Sequence, residues 1–276
     1  MFWKRLFSGV VLIIVAFAVL WIGGPVTGVA TMLLSLAGVF EMCRVYKIEK
    51  RSPAVIAYIW TFLYYLILIF GSFEIKGFTV YKLSMPLLAT YLLAILVVYV
   101  FRFPKYHDRE IMAAFMSFFY VSVMLAYIYK IREMPDGGYY VVLVFLCSWG
   151  NDTLAYCVGM LFGKHKMSPH LSPKKSVEGL IGGIIGAGLL GLIYGLFLQE
   201  RVFSIPYIYV TLFFICALAA IPAVIGDLAA SGIKRNNEVK DYGKLIPGHG
   251  GVLDRFDSMI FTAPIIYYLL QFMVTR

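Results

Sequence analysis

Nine apolar runs, near residues 6–22, 25–45, 54–71, 82–101, 110–130, 138–162, 177–198, 205–225 and 253–273, follow one another with short polar breaks between them. Each approaches the roughly 20 residues that a helix needs to cross the hydrocarbon core of a bilayer. The chain is 61% hydrophobic and 14% charged, whereas soluble domains sit near one half and one quarter. The fold class predicted is all-α, a polytopic integral membrane protein of about nine transmembrane helices. The first run follows Lys4–Arg5 as a secretory signal would, but Gly23–Gly24–Pro25 is a poor cleavage site and another apolar run follows at once. It is read as a retained helix.

Charge sets the expected orientation. With the N-terminus in the cytoplasm and the C-terminus outside, the cytoplasmic segments carry 18 of the Lys and Arg residues and the opposite segments 6, the bias that the positive-inside rule describes. Residues 1–136 then form an N-terminal group of about five spans. Residues 137–276 form a C-terminal catalytic group with cytoplasmic loops 163–176 and 234–252. The net charge of +9 fits basic loops beside acidic lipid headgroups better than a nucleic-acid partner. Cys43, Cys147, Cys157 and Cys216 lie in or beside apolar runs without metal-ligand spacing, so they imply packing and no disulfide framework.

Polar chemistry is concentrated in residues 226–258, GDLAASGIKRNNEVKDYGKLIPGHGGVLDRFDS. If 223–235 is helical, Asp227, Ser231 and Lys234 share one face at i, i+4 and i+7. Asp254 and Asp257 form an i, i+3 pair at the start of the last apolar run, and carboxylates so close repel unless a cation intervenes. Helix capping would account for Asp254 alone, but not for Asp227 and Asp257 at the edge of lipid. Three carboxylates suit Mg²⁺, which takes oxygen ligands and shares its remaining positions with water and phosphate.

Taken together, Ser231, Lys234–Arg235, Lys240–Asp241, Gly243, Pro247, His249–Gly250–Gly251 and Asp254–Arg255–Phe256–Asp257 resemble the signature of phosphatidate cytidylyltransferases, also called CDP-diacylglycerol synthases. The spacings show no departure from that pattern, which covers about a tenth of the chain. Ser172–Pro173–Lys174–Lys175 is similar to a second element of the family. The resemblance implies transfer of a cytidylyl group from CTP to phosphatidic acid, in a membrane whose cytoplasmic face supplies the nucleotide, such as a prokaryotic inner membrane. On that reading Asp227, Asp254 and Asp257 hold Mg²⁺, with or without a second cation. Ser172, Lys174, Lys175, Ser231, Lys234, Arg235, Lys240, Lys244 and Arg255 lie along the substrates, with the cations holding phosphates. His249 donates to a phosphate oxygen, and Gly250–Gly251 allow close backbone approach.

The sixth run contains Ser148, Asn151, Asp152 and Tyr156, and ionisable groups at membrane depth are costly unless they serve a site or a packing contact. Asn151 and Asp152 are therefore expected either to line the substrate cavity, touching nucleotide, or to make contacts within the bundle. The seventh run has small-xxx-small steps at Gly182/Gly186 and Gly191/Gly195, which predict close helix packing within the bundle or across a homodimer. Pro222 predicts a kink just before Asp227. Glu41 is expected to pair with Arg44 at i+3. Competing functions are a membrane lipid kinase, a cytidylyltransferase for another lipid phosphate and, with less support, an anion transporter.

Overall fold

A computed structural model describes residues 2–75, 78–169, 171–246 and 250–274. The elements run α1 (Phe2–Ile22), α2 (Gly24–Val45), α3 (Ser52–Ile69), a two-residue-strand hairpin β1 (Glu74–Ile75) and β2 (Phe78–Thr79), α4 (Val80–Phe101), α5 (Asp108–Arg132) and α6 (Gly137–Phe162). A second hairpin, β3 (Lys166–Ser168) and β4 (Ser172–Ser176), leads to α7 (Val177–Leu198), α8 (Ile208–Asn236) and α9 (Leu253–Val274). Among the described residues, the eight helices α2 to α9 are long and apolar enough to cross a membrane, and Ile13–Ile22 of α1 is a shorter apolar helix. The protein is mostly helical and polytopic, as the apolar runs predict.

The chain divides into two compact units, Met1–Tyr129 with Val239–Arg255, and Lys130–Glu238 with Phe256–Arg276. Residues 239–255 thus cluster with the N-terminal helices, although the sequence places them in the C-terminal half. In the first unit, α5 widens into a π-helical stretch over Ser117–Val123. There the hydroxyl of Ser117 donates to Ala113 O at 2.7 Å, and Thr61 and Ser122 hydroxyls meet at 2.7 Å. Tyr65 reaches Ser35 at 2.7 Å. Such bonds satisfy hydroxyl groups that lipid would otherwise leave unpaired.

In the second unit the glycines of α7 serve two neighbours. Gly182, Gly183 and Gly186 abut Val158, Asn151 and Leu154 of α6, while Gly188, Gly191 and Gly195 abut Phe213, Cys216 and Tyr209 of α8. Both small-xxx-small steps are therefore used within the chain. A methyl on Gly191 would sit 2.5 Å from Leu212 O, too close for any side chain.

α8 runs through Pro222 without interruption, from Ile208 to Asn236. One missing N–H removes one bond, which neighbouring helices and local adjustment can absorb in a membrane helix. The segment 163–176 is a hairpin and not an open loop, with Lys166 opposite Ser176 and Ser168 opposite Ser172. Two strands are both edges, where Pro173 does not disrupt the ladder.

Candidate active site

The hairpin is fixed at both ends. Ser176 caps α7 by accepting from Gly179 N at 3.1 Å, the usual role of serine at that position. Glu178 accepts from the backbone N–H of Lys164 at 3.1 Å and contacts His165 Nδ1 at 2.6 Å. At the turn, Arg235 Nε donates to Leu171 O at 2.6 Å, so the end of α8 holds the hairpin tip. Along β4, Lys174 is exposed and Lys175 half-buried. Lys175 forms an ion pair with Asp227 on α8.

Around that pair the second unit gathers further charge. Asp257, only 9% exposed, lies within electrostatic reach of Asp227, Asp152 and Lys234. Asp152 lies within reach of Lys175 and Asp227. Ser258 bridges the carboxylates: its hydroxyl lies 3.2 Å from Asp152 Oδ2 and 3.4 Å from Asp257 Oδ1, and its N–H donates to Asp257 Oδ1 at 2.8 Å. Close approach of α8 and α9 depends on Gly226, whose missing methyl would meet Asp257 O and the Phe261 ring at 2.7 Å. Three carboxylates thus face two lysines, an excess of negative charge served by hard oxygen donors. Among the described residues, no three His, Cys, Asp or Glu side chains converge as ligands of one ion. A Mg²⁺ needs only one or two carboxylates when phosphates and water complete its shell, so Asp227 and Asp257 fit that chemistry.

The sequence spacing grouped Asp254 with Asp257, but the structure engages Asp254 in the first unit. Its Oδ2 accepts from Tyr242 N at 2.8 Å and Gly251 N at 2.9 Å. Asp152 stands with Asp227 and Asp257. Nor does Glu41 form an ion pair with Arg44: Glu41 accepts from Val252 N and Leu253 N, each at 3.0 Å, and Arg44 donates to Tyr242 O at 2.5 Å. Two N–H groups without intrahelical partners at a helix start are better donors to a buried carboxylate than one exposed guanidinium. Gly250 takes φ +89° beside Asp254, a conformation that favours glycine.

Of the other expected residues, Ser231 and Lys234 lie on the Asp227 helix, half-buried, and Ser172 opens β4. Lys240, Lys244 and Arg255 are exposed in the first unit. Asn151 is fully buried against Gly183, and its amide makes no hydrogen bond among the described residues. Tyr156 is exposed. His249 and Pro247 lie outside the described residues. Sequence reasoning missed Ser258, whose only signal is its place directly after Asp257.

Comparison with known proteins gives matches over nearly the whole chain. The model of the cytidylyltransferase family matches residues 3–273. A phosphatidate cytidylyltransferase of Bacillus subtilis is 33% identical over 272 residues, 97% of this chain and 97% of that protein. One from Staphylococcus saprophyticus is 32% identical over 267 residues, covering 96% of this chain and 98% of the relative. Another from Staphylococcus haemolyticus is 41% identical over 155 residues, 56% of this chain and 57% of the relative. By the family match over residues 3–273 and the near-full-length likeness to these relatives, the chain belongs to the cytidylyltransferase family.

Proposed function

We propose that this protein converts CTP and phosphatidic acid to CDP-diacylglycerol and diphosphate. The observation that carries the reading is the near-full-length likeness to relatives named phosphatidate cytidylyltransferase. A phosphate oxygen of phosphatidic acid attacks the α-phosphorus of CTP, the bond to the bridging oxygen before the β-phosphorus breaks, and diphosphate departs. The attacking monoester has a second pKa of about 6 and is largely anionic at neutral pH, so no dedicated general base is required. The difficulty is bringing two anions together, and fixed charges and in-line positioning address it.

Lys175 and Lys234, drawn to the carboxylates, are placed to neutralise phosphate oxygens, and exposed Lys174 adds a further cation on the hairpin. Asp227 and Asp257 would hold Mg²⁺, which supplies charge neutralisation of the triphosphate when bound. Asp152, aligned through Ser258, completes the acidic set. Lys240, Lys244 and Arg255 offer cations on the 239–255 segment for phosphate, while Asp254 holds the backbone of that segment in shape.

In this reading nine helices cross a prokaryotic inner membrane, the N-terminus is cytoplasmic, and the hairpin and residues 234–252 face the cytoplasm. The Lys and Arg distribution, 18 against 6, supports that orientation. Mass spectrometry of the lipid products formed by purified protein from phosphatidic acid with CTP, and separately with ATP, tests the function. CDP-diacylglycerol from CTP alone is expected; a phosphorylated lipid from ATP would mark a kinase.

A further inference from the structure

The first unit contains a carboxylate that the chemistry above does not use. Glu41 lies near the C-terminal end of α2, 3% exposed. Its two oxygens accept from Val252 N and Leu253 N at 3.0 Å each, across 211 and 212 positions of sequence. The segment that it grips is shaped around it. A methyl on Gly251 would fall 2.5 Å from both carboxylate oxygens, and one on Gly243 would also run into Glu41. Arg44, one turn along the same helix, donates to Tyr242 O, so α2 clasps the segment at two points. The segment itself presents Lys240, Lys244 and Arg255.

We propose that Glu41 is a positioning residue for the reaction, its helix holding Tyr242, Val252 and Leu253 so that Lys240, Lys244 and Arg255 beside them are presented to substrate phosphate. A buried carboxylate that only stabilised α2 would need no glycines opposite it and no pair of distant N–H donors. An ionised carboxylate with two N–H bonds gives a rigid, directional attachment, whereas lysines on a mobile loop lose entropy on every binding event. The proposal rests on the cytidylyltransferase reading, and its tests include a measurement that does not depend on turnover.

Glu41→Gln retains one carbonyl acceptor but turns an amide donor toward an N–H. It should raise KM for CTP by about tenfold, the change that one charge-assisted hydrogen bond supports, with kcat changed less. Glu41→Leu removes both acceptors and should do more harm. Gly251→Ala presses on the same contact from the other side and should give the same KM-dominated defect. Glu41→Asp draws the carboxylate back by about 1.5 Å, so combining it with Gly251→Ala should raise KM by less than the product of the separate effects.

Independently of turnover, a spin label at Leu245→Cys, on a side chain 65% exposed, should report a more mobile loop in Glu41→Gln than in the parent, with exposed Cys157 replaced by serine in both. Folded Glu41 variants with parental KM and parental label mobility would overturn the proposal. So would loss of thermal stability with KM unchanged, or strictly multiplicative effects of the Glu41 and Gly251 substitutions. A mobile label in a protein whose parent makes no CDP-diacylglycerol would instead uphold the clasp and overturn the reading of function.

Discussion

Gly226→Ala tests whether the spacing of α8 and α9 sets the geometry of the charged cluster. The added methyl would lie 2.7 Å from Asp257 O and 2.7 Å from the Phe261 ring, and ordinary contact begins at 3.4 Å. The helices must therefore separate by about 0.7 Å. Overpacking of this kind costs about 1–3 kcal/mol, offset by up to about 1 kcal/mol from the better helix propensity of alanine. With the full offset, a net loss of up to about 2 kcal/mol follows. Displacement on this scale between Asp227 and Asp257 should lower turnover by between about 10-fold and 100-fold. Gly232→Ala, further along α8, is the control: its methyl would meet only Leu171 Cδ2, at 3.5 Å. That variant should keep parental turnover and unfold no more readily than the parent. Thermal unfolding in detergent and initial rates with CTP and phosphatidic acid give both quantities. Parental rates and stability in Gly226→Ala would refute the reasoning, as would equal damage from the two substitutions.

Three further outcomes are expected. Lys175→Gln should lower turnover, and in a double-mutant cycle with Asp227→Asn the coupling should be about 1–2 kcal/mol, less than a fully buried pair because both side chains are about one quarter exposed; a coupling of zero would deny the pair any role. Asp257→Asn should abolish most turnover and raise the Mg²⁺ concentration needed for the remainder, measured by metal titration after chelation; unchanged metal dependence would remove Asp257 from that role. Single cysteines in 163–169 and 240–245, placed in a cysteine-free background, should be labelled by an impermeant reagent from the same side of the membrane; labelling from opposite sides would end the nine-span topology.

The helices were legible because lipid selects for a property that accumulates locally along the chain. Each apolar run predicted its helix to within a few residues, except that α8 extends to Asn236 and carries Asp227, Ser231 and Lys234 on one continuous helix. The charged site was legible in residue type but only partly in partnership. Spacing along α9 put Asp254 beside Asp257, but could not show that one oxygen of Asp254 also accepts from the N–H groups of Tyr242 and Gly251. Asp152 reaches the cluster through Ser258, 106 positions away, a distance that no periodicity reveals. Glu41 shows the same limit: its neighbour Arg44 looked like the natural partner, whereas the actual donors lie more than 200 residues on. The glycines of α7 predicted close packing, but not that two neighbouring helices of the same chain would use both of their faces.

The most direct measurement of the central claim follows the phosphorus atoms of CTP. Purified protein in mixed micelles with phosphatidic acid would be given CTP labelled at the α-phosphate and, in parallel, CTP labelled at the γ-phosphate, with lipid and aqueous phases counted separately. Attack at the α-phosphorus predicts that the α label enters the lipid phase while the γ label is recovered as diphosphate in water. Entry of the γ label into lipid, with the α label left in the aqueous nucleotide, would show phosphoryl transfer and contradict the cytidylyltransferase account.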